Sequence, residues 1–238
     1  YIAFENRPVS ANDLANLQAL LPRAQVEELL QRYPLPFQAR HVIWYDEHIR
    51  LTLVFDDALD ALRDTSAQVD AWYLDGFNPN KNEDLWNKRI YEQLFRLSRP
   101  GTTLTTYSVA GEVRRDLTNA GFQITRKSGF GRKREMLFAC TSGNWTPANR
   151  GTPRVAIVGK GLAGSYLYES LKRRSIEVQV FEDGWATSSK VPQLALYPTL
   201  AVNSEHRYRF SLSAYAYARQ NNPFFHQTGL TLKPKSAR

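Results

Sequence analysis

Asp75 follows the run Val69-Asp70-Ala71-Trp72-Tyr73-Leu74, and Gly76, Phe77, Asn78, Pro79 and Asn80 come directly after it. The run has the composition of a buried strand, and in an open α/β sheet ligands gather just beyond the carboxyl ends of the strands. An acid at that place is aimed into a site. Its carboxylate can hold an amine or a hydroxyl, Phe77 can stack on a flat ring, and Asn78 and Asn80 can hydrogen-bond. The competing reading of so short a motif is a strand that ends in an Asp-Gly turn.

A second constellation lies further along. Arg154–Val158 is a short apolar strand, Gly159-Lys160-Gly161-Leu162-Ala163-Gly164 follows, a helix runs to about Arg174, and a second strand, Glu177–Phe181, ends in Glu182. Strand, Gly-x-Gly-x-x-Gly, helix, strand and acid form the complete dinucleotide fingerprint. Gly159 permits the tight turn, Gly161 lets a pyrophosphate approach the backbone, Gly164 lets the helix pack on the sheet, and Glu182 can accept from an adenosine ribose. The alternative is a glycine-rich βα turn that binds nothing. In the first part of the chain Glu5, Asp57 and Asp75 fall at the ends of successive strands. Singly, each reads as a solvated strand-end acid; jointly, they suggest a nucleoside-containing cofactor. The cluster Arg114, Arg115, Arg126, Lys127, Arg132, Lys133 and Arg134, interleaved with Phe130 and Met136, suits phosphates around an exposed base. A solvated charged face is the plain alternative.

These residues need elements to position them. Tyr1–Glu5 reads as a strand, Ser10 to Leu21 as a helix with Ser10 and Asp13 in a capping box, and Ala24–Tyr33 as a short helix stopped by Pro34 and Pro36. Ile49–Phe55 alternates like a strand. Glu83–Ser98 reads as a helix with Asn82 at its N-cap and with Leu85, Ile90, Leu94 and Leu97 on one face. Thr102–Tyr107 is a strand, Ala110–Ala120 a helix closed by Gly121, and Phe122–Arg126 a strand. A turn at Gly129-Phe130-Gly131 then leads into the strand Glu135–Thr141. The alternation implies a mainly parallel sheet with helices on both faces, and the short turn makes the last two strands antiparallel. Ser142–Pro153 has the composition of a linker.

The whole chain sets bounds. Its 238 residues fit one large domain or two small ones, and 42% hydrophobic content supports real cores. With 31 Lys and Arg against 23 Asp and Glu, the net charge of +8 favours a polyanionic partner such as nucleic acid over an inert basic surface. The single cysteine, Cys140, sits in an apolar run and reads as a small core residue; no intramolecular disulfide is possible, which fits a reducing cytoplasm. The four histidines lack metal-ligand spacing, so no metal site is expected. No apolar run approaches membrane-spanning length, and the N-terminus lacks a signal-peptide layout. The strand-like opening at Tyr1 and the unclosed end after Thr231 suggest a piece of a longer protein.

With those residues in view, the chain resembles the bifunctional tRNA wobble-uridine modification family MnmC, which makes 5-methylaminomethyl-2-thiouridine. The resemblance lies in Asp70–Asn82, Leu97–Thr103 and Gly129–Leu137 for the methyltransferase half, and in Arg154–Gly164 and Gln193–Pro198 for the FAD-dependent oxidoreductase half. It implies an α/β chain: a partial class I methyltransferase Rossmann-like sheet at 1–145, a linker at 146–153, and the first βαβ unit of an FAD-binding Rossmann domain at 154–238. It implies S-adenosylmethionine and FAD as cofactors and tRNA as partner. Glu5 would match the acid on the cofactor ribose, Asp57 the acid near the adenine, and Asp75 the active-site acid. Phe77, Asn78, Arg132, Lys133 and Arg134 would meet the substrate. The family's glycine-rich cofactor loop would precede Tyr1, and glycines expected near FAD are replaced by Lys190 and Leu194. Two alternatives stand beside this reading: a methyltransferase with a degenerate flavin domain, and a non-catalytic tRNA-binding module.

Overall fold

The computed structural model describes residues 1–16, 27, 30, 32–33, 40–46, 48–129, 131, 133–146, 151–182, 196–198 and 205–222. They fall into two compact units, Asp56–Asn149 and a second made of Tyr1–Phe55 with Arg150–Arg238.

The Asp56–Asn149 unit carries the better-buried core. After α2 (Ala58–Arg63) and β4 (Val69–Leu74), a 3₁₀ turn (Pro79–Lys81) leads to α3 (Lys88–Leu97). Then come β5 (Ser98–Thr106), α4 (Gly111–Ala120), β6 (Gln123–Ser128) and β7 (Glu135–Cys140). The strand order is β4-β5-β7-β6, with β4 and β5 parallel and the other two pairs antiparallel. This unit's sheet is therefore mixed rather than mainly parallel, because β7 returns through the hairpin and inserts between β5 and β6. One face is fully buried, where Leu104 lies opposite Ala139 and Thr106 opposite Leu137. Ile90, Tyr91, Leu94 and Leu97 of α3 and Val113 and Leu117 of α4 are buried as well. The three helices neighbour one another, α2 on α3 and α3 on α4. They form one layer, where the sequence suggests cover on both faces; residues of the opposite strand face, such as Thr103, Thr105 and Phe138, are only half-buried.

Two local departures have physical causes. Helix α3 starts at Lys88, capped by Asn87, whose side chain accepts from the Arg89 and Ile90 amides. Asn82 instead ends the 3₁₀ turn. The expected N-cap shifts because Pro79 starts a separate turn. Strand β5 bulges between its pairings Val69↔Ser98 and Ala71↔Thr103. The freed groups are satisfied by two threonines: Thr102 Oγ1 donates to Val69 O at 2.5 Å and accepts from Arg99 N at 2.9 Å. Thr141 Oγ1 donates to Arg99 O at 2.6 Å and accepts from Thr102 N at 3.0 Å. The Ser-Arg-Pro-Gly-Thr-Thr stretch thus encodes a bulge with its own hydrogen-bond partners. Cys140 is half-buried, not a core residue, since β7 turns it to the less covered face, with Sγ 4.0 Å from Gln123 Oε1.

In the other unit β1 (Ile2–Phe4) runs parallel to β3 (Arg50–Val54), and β2 (Arg40–Trp44) pairs antiparallel with β3. Helix α1 (Ala11–Asn16) carries the expected Ser10–Asp13 pair at its start, with a side-chain bond in place of the capping box's return bond to the Ser10 amide: Asp13 N donates to Ser10 Oγ at 3.1 Å, and Ser10 Oγ donates to Asp13 Oδ2 at 2.6 Å. Residues 17–21 and most of the expected helix 24–33 lie outside the described residues. Strands β8 (Arg154–Val158) and β9 (Glu177–Phe181) are parallel, joined by α5 (Leu162–Lys172). Helix α6 (Glu205–Asn221) packs on β2, where Arg40 N donates to Ser213 Oγ at 3.2 Å. Of the interdomain stretch 146–153, residues 147–150 lie outside the described residues.

Candidate functional site

Asp75 stands one residue past the end of β4, exposed, as the carboxyl-edge rule requires. Phe77 is 83% exposed, a large apolar ring turned to solvent. Asn78 is not available in full: its side-chain oxygen accepts from Asn80 N at 3.0 Å and caps the 3₁₀ turn. The backbone between them is pinned. Trp86 Nε1 donates to Phe77 O at 2.7 Å, and the Tyr107 hydroxyl donates to Gly76 O at 2.6 Å. The two rings meet edge to face, centroids 6.0 Å apart. A Cβ on Gly76 would stand 2.4 Å from Leu85 Cδ2 and 3.0 Å from Trp86 Nε1, so only glycine lets the loop lie this close.

Tyr107 and Trp86 are site residues that the sequence reading misses. A signal for Tyr107 exists in the strand register. Leu74 pairs with Thr106 in parallel strands, so the residue after β5 lies beside the residue after β4, at the same carboxyl edge.

Beyond Tyr107 opens a surface cleft of ≈ 520 Å³ lined by Tyr107, Val109, Lys133, Arg134 and Glu135. Lys133 Nζ lies 5.4 Å from the Tyr107 ring centroid, a cation–π contact. The structure thus brings Lys133 and Arg134 of the basic cluster to the ring that holds the Asp75 loop. Arg126 is instead paired with Glu135 at 3.3 Å, and Lys127 sits 3.9 Å over the Phe138 ring. Arg114 and Arg115 lie on α4. Arg132 and Phe130 lie outside the described residues.

The nucleoside-type acids divide between the units. Asp57 is the N-cap of α2, its Oδ1 accepting from the Leu59 and Asp60 amides at 2.9 and 3.1 Å. One carboxylate oxygen is spent on the helix, which is the structural reading of that acid, and Oδ2 remains for a ligand hydroxyl or amine. Glu5 in the other unit follows β1 and accepts from Arg7 N at 2.7 Å.

The second constellation is a turn built by close approach. Gly159 has φ +94°, and its N–H donates to Phe181 O at 2.8 Å, tying the turn to β9. A Cβ on Gly164 would lie 2.0 Å from Gly159 O, so the first turn of α5 rests directly on the strand-end backbone. Gly161 is the N-cap with no side-chain bond, and Glu182 is exposed at the end of β9. This cradle fits a dinucleotide pyrophosphate with a ribose beyond it. Lys190 and Leu194 lie outside the described residues. Among the described residues no group of His, Cys, Asp and Glu could hold a metal ion, and no helix is long and apolar enough to cross a membrane.

The site is thus an acid-bearing loop at the carboxyl edge of an α/β sheet. Residues 22–142 match the family model of S-adenosyl-L-methionine-dependent methyltransferases, and the chain belongs to that family, with its Rossmann-like fold. The resemblance drawn from the sequence holds over almost the whole chain. It is 33% identical, over 99% of its length, to the tRNA 5-methylaminomethyl-2-thiouridine biosynthesis bifunctional protein MnmC of Marinomonas sp.. It is 35% identical, over 92%, to the protein of the same name from Chromohalobacter salexigens. The chain spans 40% and 34% of the lengths of these relatives. A crystal structure of MNMC2 from Aquifex Aeolicus aligns with 62% of this chain and 45% of its own, at 24% identity and a TM-score of 0.48.

Proposed function

We propose that this chain is part of a bifunctional tRNA-modifying enzyme of the cytoplasm that N-methylates an aminomethyl group on the wobble uridine. Residues 1–145 would be the methyltransferase, 146–153 a linker, and 154–238 the beginning of an FAD-dependent oxidoreductase that first removes a carboxymethyl group. The observation that carries the reading is the exposed Asp75, on a loop pinned by two aromatic donors beside a cleft with Lys133 and Arg134. The similarity to the two MnmC proteins over 92–99% of the chain supports the substrate class.

S-adenosylmethionine, when bound, supplies a methyl group on an electrophilic sulfonium. Asp75 accepts an N–H of the substrate's neutral amine and so orients the nitrogen lone pair. On taking up the methyl group, with the thioether as leaving group, the nitrogen would become positive, and the Asp75 carboxylate would stabilise that charge before the proton leaves. Phe77 offers its ring to the extruded base. Lys133 and Arg134, with Arg132, meet phosphates. By the family resemblance Glu5 would hold the cofactor ribose and Asp57 would stand near the adenine, and Asn78, already bonded to the backbone, would shape the loop under the base. In the other unit Gly159, Gly161 and Gly164 would receive the FAD pyrophosphate and Glu182 its ribose.

The test is methyl transfer by the full-length protein to tRNA bearing 5-aminomethyl-uridine, read by nucleoside analysis. Formation of the methylaminomethyl nucleoside is expected. Binding of S-adenosylmethionine and tRNA without transfer would instead favour a non-catalytic binding module. Transfer by a protein that never holds flavin would favour a degenerate second domain, which the replacements at Lys190 and Leu194 make the next reading in line.

A further inference from the structure

We infer that Trp86 and Tyr107 are positioning residues for Asp75: by hydrogen-bonding the two consecutive carbonyls that follow it, they fix where its carboxylate stands. The inference rests on the methyltransferase reading of Asp75. The loop has no sheet partner of its own, since β4 ends at Leu74 and the 3₁₀ turn begins at Pro79. What holds it is the bond from Trp86 Nε1 to Phe77 O at 2.7 Å and the bond from the Tyr107 hydroxyl to Gly76 O at 2.6 Å. A single bond would leave the peptide free to pivot. Two bonds on adjacent carbonyls, from rings packed edge to face at 81°, set both its height and its tilt.

The supports are themselves fixed. Trp86 is buried, its amide tied back to Asn82 O and Glu83 O. Tyr107 directly follows β5, whose pairing with both β4 and β7 leaves it little freedom. An aromatic with a polar tip suits this task, because the ring is held by packing while the tip makes one directed bond. Asp75 and Phe77 themselves are exposed, so little else defines their positions. The reactive geometry of a methyl transfer is narrow, and a shift of about 1 Å can cost about 10²-fold in rate. Tyr107 also carries Lys133 over its face, so a phosphate drawn to the basic hairpin and the Asp75 loop meet at one ring.

Tyr107→Phe removes only the hydroxyl and keeps the ring for Trp86 and Lys133. Trp86→Phe removes the indole N–H. Both are made in the full-length protein and read in two ways. Hydrogen exchange follows the Asn80 and Lys81 amides, which are bonded to Asn78 and open with the loop. Single-turnover methylation is measured in the wild-type and Asp75→Asn backgrounds. Exchange is expected to quicken in each variant. The transfer rate should fall about 10- to 100-fold while S-adenosylmethionine affinity stays within about twofold. In the Asp75→Asn background the same substitutions should have almost no further effect, because residues that act through one group are not additive. Unchanged exchange in both variants, or an undiminished rate loss in the Asp75→Asn background, would overturn the inference. A wild-type protein that transfers no methyl group would count against the functional proposal, and exchange alone would then decide for or against the clamp.

Discussion

Two strand-end turns in this chain each depend on a glycine that admits no Cβ, and they are held in opposite ways. At Gly164 the obstacle is backbone, Gly159 O at 2.0 Å; at Gly76 it is side chain, Leu85 Cδ2 at 2.4 Å and Trp86 Nε1 at 3.0 Å. The close approach in the first turn is between residues within six positions of one another, with one further bond from Gly159 N to Phe181 O. The second is specified by residues that the fold must bring in, Trp86 from the segment just before α3 and Tyr107 from the position just after β5. A turn made of backbone is rigid and recurs as a motif. A turn made by side chains can be tuned, and its parts are scattered along the sequence.

That contrast can be broken first where nothing can give way. Gly164→Ala drives a methyl group into a carbonyl, so the turn must open. The full-length protein is expected to purify without flavin and to bind none when FAD is added, read from its visible spectrum. A yellow Gly164→Ala protein would mean that FAD does not rest on this turn. Gly76→Ala should be milder, because Leu85 can rotate away while Trp86 shifts. Methylation is expected to fall about tenfold, with a cost of about 1–3 kcal/mol from overpacking, measured by single-turnover assay and urea unfolding. If Gly76→Ala proved as severe as Gly164→Ala, the side-chain-held loop would be no more yielding than the backbone-held one.

The same division explains what the sequence makes legible. Strands β8 and β9, the glycine turn and Glu182 can all be read in one pass, because local chemistry alone fixes them. Asp75 can be read as well, from its place after an apolar run. Trp86 and Tyr107 cannot, since each looks like an ordinary apolar residue until the β4–β5 register and the 3₁₀ turn are known. Helices α2 and α6 and strand β2 are missed for a related reason: α2 is a short helix whose cap, Asp57, reads equally well as a strand-end ligand. Asn82 and Asn87 offer the same capping chemistry five residues apart, and only the turn at Pro79 decides between them.

Smaller effects sharpen the picture of the basic hairpin. Log affinity for tRNA should fall with log salt by roughly 0.7–0.9 for each phosphate neutralised. Replacing Arg132, Lys133 and Arg134 together by Ala should flatten that slope by about two to three units if each meets one phosphate. An unchanged slope would place the tRNA away from the cleft beside Tyr107. The smallest effect is expected at Val158, 88% exposed at the end of β8. Val158→Ala should change the unfolding free energy of this chain by less than about 0.5 kcal/mol. A larger loss in urea unfolding would mean that the βαβ unit is better packed than its exposed apolar face indicates.

The central claim is that Asp75 stabilises the charge forming on the attacking amine. Asp75→Asn keeps the shape and hydrogen-bonding capacity of the side chain and removes its charge. In single-turnover assays of the full-length protein, methylation should fall by on the order of 10²–10³, as for loss of one transition-state electrostatic contact. S-adenosylmethionine affinity should hold, and unmethylated aminomethyl-uridine should accumulate in tRNA. Methylation near the wild-type rate, or a loss explained entirely by weaker cofactor binding, would contradict the role given to Asp75.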